Sequence, residues 1–175
     1  MSEQRLERLR NLVREVPDFP TPGILFRDIT PVLADPEAFR QAVAALAERV
    51  PQPVDLVAGI ESRGFILGSA VALSIRAGFV PIRKAGKLPA ETLRASYSLE
   101  YGEAIVEIHA DAVRPGQSVI IVDDLIATGG TAAAAVSLIE RLGGRVAGGA
   151  VLIELTALGG AEKLQGHPFS SILQF

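Results

Sequence analysis

Asp123 and Asp124 are adjacent carboxylates that close a β-branched run, Val119 to Val122, and Ala127-Thr128-Gly129-Gly130-Thr131 follows them at once. The run reads as a buried parallel strand, and the Ala-rich segment after it, through Leu142, reads as a helix. A strand, a tight loop and a helix N-terminus together make an anion site. The first N–H groups of the helix lack intrahelical partners, and its dipole is positive at that end. Gly129 and Gly130 let the backbone approach a ligand, and Thr128 and Thr131 add hydroxyl donors. Phosphate fits there. The two carboxylates cannot bind phosphate, but they match sugar hydroxyls, as the acidic residue of dinucleotide folds does. A phosphate beside a diol means a ribose 5-phosphate; a capped turn with two solvated acids is the plainer alternative. The sequence has no Walker loop and no Gly-x-Gly-x-x-Gly after a strand.

Two further strands end in polar loops. Val54 to Ile60 runs into Glu61-Ser62-Arg63-Gly64, ahead of an apolar helix from Phe65 to about Ala77. The rigid donor fork of Arg63 suits a polyphosphate, although a surface Arg at a turn is the simpler explanation. Phe79 to Ile82 leads to Arg83-Lys84-Ala85-Gly86-Lys87. These cations are either a solvated face or a counter-charge for pyrophosphate, with Arg83 and Lys87 preferred as ligands over Lys84. Earlier in the chain, Leu6, Leu9, Val13 and Val16 predict an amphipathic helix that stops at Pro17. Phe19 to Pro31 reads as a rigid, irregular, proline-rich loop in which Phe26 and Ile24 form either a lid over a flat ligand or a plug for the domain's edge.

The remaining chain supplies scaffold. Asp35-Pro36-Glu37 is a helix start, with Phe39, Val43, Leu46 and Val50 on one face. Leu88 to Gly102 with Ile105 to Ile108 reads as a hairpin-like excursion. Gly143-Gly144 stops the helix after the phosphate loop. Ala150 to Leu155 is a strand, Leu158 to Leu164 a helical turn and Ser171 to Phe175 an edge strand. Strands alternating with helices predict an α/β fold with a mainly parallel central sheet flanked by helices, its candidate loops at the strands' C-terminal ends. His109 and His167 are isolated from any second ligand at metal spacing.

Composition sets the class. The 175 residues are one domain's worth, 49% hydrophobic and 21% charged, with no cysteine and a net charge of −3. A disulfide framework is excluded and the cytosol favoured. The charge carries no footprint of a nucleic-acid binder. The apolar segment Gly64 to Ile75 ends at Arg76, too short for a membrane span, so a soluble, cytoplasmic protein is expected. The helix Phe65 to Ala77 is apolar on nearly every face, which predicts burial partly against a second subunit, hence a homodimer.

Val119 to Thr131 resembles the phosphoribosyl pyrophosphate (PRPP) signature of the type I phosphoribosyltransferases, and the similarity covers nearly the whole chain. The resemblance implies that fold as a single domain, 1–175, with an N-terminal hood at about 1–34 and a flexible catalytic loop at about 88–108. It implies the 5-phosphate at Ala127, Thr128, Gly129, Gly130 and Thr131, the ribose hydroxyls at Asp123 and Asp124, and pyrophosphate at Ser62, Arg63, Arg83 and Lys87. A non-proline cis peptide is implied at Glu61-Ser62. Phe19 to Pro31 is similar to the hood of members whose acceptor is adenine, so Phe26 would stack on the purine, Ile24 and Arg27 would bond its edge through their main chains, and Leu125 would cover its other face. Glu100 matches the family's loop carboxylate and joins Asp124 as a catalytic residue. The implied reaction belongs to purine salvage: N9 of adenine attacks C1 of the ribose, giving AMP and pyrophosphate, with Mg²⁺ held mainly through PRPP and no metal ion bound chiefly by protein ligands. The rivals are enzymes of the same fold acting on orotate or a 6-oxopurine, and a non-catalytic sensor of PRPP.

Overall fold

Ile120, Ile121 and Val122 are fully buried because they lie in the middle of a seven-stranded sheet covered on both faces. The computed structural model describes residues 2–98, 103–164 and 166–175. In chain order the elements are α1 (Glu3–Leu12), β1 (Arg14–Pro17), β2 (Leu25–Asp28), α2 (Thr30–Ala34), α3 (Pro36–Ala47), β3 (Leu56–Ile60), α4 (Arg63–Ile75), β4 (Gly78–Lys84), β5 (Thr92–Ser98), β6 (Glu103–His109), β7 (Ser118–Ile126), α5 (Gly130–Arg141), β8 (Arg145–Glu154) and β9 (Phe169–Gln174), with a 3₁₀ turn at Thr156–Leu158.

The sheet order is β5-β6-β4-β3-β7-β8-β9. The five strands from β4 to β9 are parallel, and the β5–β6 hairpin adds two antiparallel strands at one edge. Strand alternation divides the core. Ile120 and Val122 point toward α1, α3 and α4, whereas Val119 and Ile121 point toward α5. The Asp35 carboxylate caps α3 by accepting the Ala38 N–H at 2.8 Å, as the Asp-Pro-Glu start predicts.

Several boundaries differ from the sequence reading. The first helix ends at Leu12, because residues 14–17 leave it to pair with β2 in a separate antiparallel ladder, from Arg14↔Asp28 to Pro17↔Leu25. The proline-rich stretch is therefore a loop only up to Ile24. Strand β7 does not end at Asp123 and Asp124 but runs on to Ile126, since pairing with β8 continues to Ile126↔Glu154 after pairing with β3 has ended at Val122. Arg63 opens α4 instead of preceding it. The Leu158–Leu164 segment holds turns, with regular helix only at Thr156–Leu158. On α4, Gly64, Leu67, Gly68, Val71 and Ala72 are buried, but Leu73 is 83% exposed and Ile66 44%, so this chain alone leaves part of that helix uncovered.

Candidate functional site

Gly129, with φ +82°, turns the chain from β7 into α5. A Cβ there would lie 2.5 Å from the Gly160 carbonyl oxygen, and one on Gly160 would collide with the carbonyl of Ala127. The loop is thus pressed against Gly160 from behind. In front of it is a cavity of about 150 Å³, lined by Asp123, Leu125 and every residue from Ala127 to Ala132. The first intrahelical bond of α5 comes from the Ala133 N–H to Gly129, which leaves the earlier N–H groups free for an anion. Gly160 is a site residue that the sequence reading missed; the Gly159-Gly160 pair is its signal.

Alternation along β7 sends the two carboxylates different ways. Asp123 faces the phosphate-loop cavity, and a side chain at Gly64 would press on its Oδ1 at 2.8 Å. Its Oδ1 accepts the Asp124 N–H at 2.8 Å. Burial first, and then the charge of Asp124, hold the Asp123 carboxyl well above the usual carboxylate range. Asp124 is buried and hydrogen-bonded to Nε of Arg63. A protonated carboxyl can donate to a hydroxyl as well as accept from one, whereas an ionised carboxylate accepts only.

Arg63 connects this pair to the N-terminal segment. Its guanidinium carbon lies 5.1 Å from the ring centroid of Phe26, within cation–π range. Phe26 meets Phe19 edge to face at 5.1 Å. Phe19, Ile24 and Leu25 are exposed, an apolar tip on the β1–β2 ladder that the Phe26–Arg63 contact joins to the start of α4. The Arg27 side chain turns away, bonding Glu15 and lying 4.2 Å from the Phe175 ring centroid, so only its main chain is available toward the site. Glu61-Ser62 is a cis peptide.

Lys84, not Arg83 or Lys87, lines a cleft of about 240 Å³ with Glu61, Ser62, Arg63 and Asp124. Arg83 and Lys84 alternate on β4, and Arg83 has other partners: its Nε donates to Glu61 Oε2 at 3.1 Å and its Nη1 to the Lys87 carbonyl at 2.9 Å. Arg83 therefore braces the turn. Glu100 lies outside the described residues.

The family model for the phosphoribosyl transferase domain matches residues 32–171. The adenine phosphoribosyltransferase of Thermobifida fusca is 61% identical over 153 residues, 87% of each chain. The crystal structure of the adenine phosphoribosyltransferase from Rhodothermus marinus superposes with a TM-score of 0.95 at 54% identity, covering 99% of this chain and all of that one. The enzyme of the same name from Saccharomyces cerevisiae, solved with adenine and an imino-altritol bisphosphate, gives 0.92 at 41% identity, over 98% of this chain and 100% of its own.

Proposed function

The chain belongs to the phosphoribosyl transferase family and, within it, to the adenine phosphoribosyltransferases, and from that premise we propose how its residues move the 5-phosphoribosyl group of PRPP onto N9 of adenine. The products are AMP and pyrophosphate, a purine-salvage step. The 5-phosphate rests in the Ala127–Thr131 loop, and the ribose hydroxyls bond Asp123 and Asp124. Pyrophosphate occupies the cleft of Ser62, Arg63 and Lys84, with Lys87 of the following turn as a further ligand. Adenine stacks on Phe26, bonds the main chains of Ile24 and Arg27, and meets Leu125 on its other side. Backbone carbonyls suit adenine, whose exocyclic amino group donates.

One observation carries this reading: Arg63 touches both Phe26, the residue for the base, and Asp124, the residue for the ribose. Base and sugar are brought together around the group that faces the leaving pyrophosphate. As pyrophosphate enters, Arg63 can shift to its oxygens and free Asp124 for a ribose hydroxyl. C1 then passes through an oxocarbenium-like state in which Asp123 and Asp124 hold the sugar and the cations hold the leaving group. The loop at about 88–108 closes over the site to exclude water, and its Glu100 either takes the proton from the base or stabilises the cation.

The carboxylates beside the cleft are engaged: Asp124 with Arg63, and Glu61 with Arg83 and the Lys84 N–H. This donor set fits a Mg²⁺ held mainly through PRPP's own oxygens, where it would neutralise charge on the departing pyrophosphate. Exposed Leu73 and Ile66 on α4 support a homodimer in which a second copy covers them. Among the described residues no helix is long and apolar enough to cross a membrane. The absence of cysteine suits a reducing cytoplasm. Offering adenine, hypoxanthine, guanine and orotate separately with PRPP tests the acceptor, and preference for any base but adenine refutes it.

A further inference from the structure

Glu107 is a carboxylate only 1% exposed that none of the steps above uses. It lies on β6, opposite Arg83 of β4 on one side and Arg94 of β5 on the other. Its two oxygens have separate partners. Oε1 accepts the main-chain N–H groups of Lys87 and Leu88, each at 3.0 Å. Oε2 accepts from Thr92 Oγ1 at 3.3 Å and Arg94 Nε at 3.2 Å. Burying a carboxylate is costly unless its lone pairs are filled, and here they are. The main-chain donors of the turn, Leu88 foremost, hold the Glu107 carboxyl down at about 2 against the cost of burial, so it stays ionised.

The same turn is gripped from its other side. Arg83 donates to the Lys87 carbonyl, and Glu61 Oε2 accepts both Arg83 Nε and the Lys84 N–H. The Lys87 residue is thus fixed at its N–H by Glu107 and at its carbonyl by Arg83. Among the described residues no carboxylate pairs with the ammonium of Lys84 or Lys87, so both remain available to an anion.

We propose that Glu107 is a positioning residue for the pyrophosphate end of the site: it fixes the Gly86–Leu88 turn so that the Lys84 and Lys87 ammonium groups converge on the leaving group. Through Thr92 and Arg94 it also ties that turn to the root of the β5–β6 hairpin. A buried carboxylate holding main-chain donors does this better than an amide, which would turn a donor toward donors. The inference rests on the assignment of pyrophosphate to this cleft.

The test measures binding of inorganic pyrophosphate with Mg²⁺ by titration calorimetry, together with the KM values for PRPP and adenine, in the wild type and Glu107→Gln. The expected result is a rise of about tenfold in the pyrophosphate Kd and the PRPP KM, the scale of one lost charge-assisted bond. The adenine KM and the circular dichroism spectrum stay unchanged. A folded E107Q with an unaltered pyrophosphate Kd overturns the proposal, as does an equal rise in both KM values, which would mark general loosening. If E107Q does not fold, Thr92→Val removes one donor from Oε2 and must raise the same Kd by about twofold; a folded T92V with wild-type Kd overturns the proposal. A wild type that binds no pyrophosphate removes the cleft assignment and this inference with it, whereas a wild type that binds while E107Q binds equally removes this inference alone.

Discussion

Arg63 is bonded through Nε to the Asp124 carboxylate and lies with its guanidinium carbon 5.1 Å from the Phe26 ring centroid. One side chain therefore spans β2, α4 and β7, and the N-terminal segment is tied to the sheet at the point where a base would meet a ribose. Asp124 is buried and Arg63 one-third exposed, so the pair is stabilised by position and partly screened by solvent. Arg63→Ala leaves a buried carboxylate without its partner. Urea denaturation of this variant is expected to show a loss of about 1–2 kcal/mol, accompanied by weaker pyrophosphate binding.

Asp124→Asn keeps the shape of the side chain and removes the charge that would accept a ribose hydroxyl. Steady-state kinetics with PRPP and adenine should show a loss of transition-state stabilisation of about 2–4 kcal/mol in kcat/KM, with normal folding. Unchanged kinetics would remove the ribose assignment.

Asp123 carries a pH dependence whose sign follows from its raised carboxyl. Between 3.8, the ordinary value, and the raised folded value, the native chain holds a proton that the unfolded chain has released. Stability is thus fully retained below that window and falls as pH rises through it. Asp123→Asn takes up no proton on folding, so it should be more stable than the wild type at neutral pH while activity drops, a trade of function for stability. A variant that is less stable at neutral pH, or that keeps the wild-type pH slope, would contradict the shift.

Gly160 backs the phosphate loop so closely that any Cβ meets the Ala127 carbonyl. Gly160→Ala should push that loop into the cavity and weaken binding of ribose 5-phosphate by about 1–3 kcal/mol, the range of an overpacked contact. Calorimetric titration with ribose 5-phosphate measures this directly, and wild-type affinity would show that the contact does not shape the loop.

What could be read from the sequence was local. The β-branched run, the small-residue turn and the Ala-rich helix are contiguous, so Val119 to Thr131 already described a strand, an anion loop and two carboxylates. The Asp35 cap and the alternation of strands with helices were legible for the same reason. The rest depends on pairing across the chain. Residues 14–17 become a strand only because Leu25–Asp28 lies beside them. Lys84 lines the cleft while Arg83, its neighbour on β4, is engaged by Glu61 and the Lys87 carbonyl, and neither register nor partner is visible in a run of cations. Glu107 reads as one polar residue in a weakly alternating strand. Its role arises from a turn twenty residues earlier in the chain, which folds back onto it.

The central claim is that one site joins adenine to the ribosyl group of PRPP, and product stoichiometry tests it most directly. With adenine, PRPP and Mg²⁺, AMP and pyrophosphate should appear in equal amounts, with no ribose 5-phosphate released by water. Pyrophosphate release without matching AMP, or AMP formation unaffected by Asp124→Asn, would contradict it.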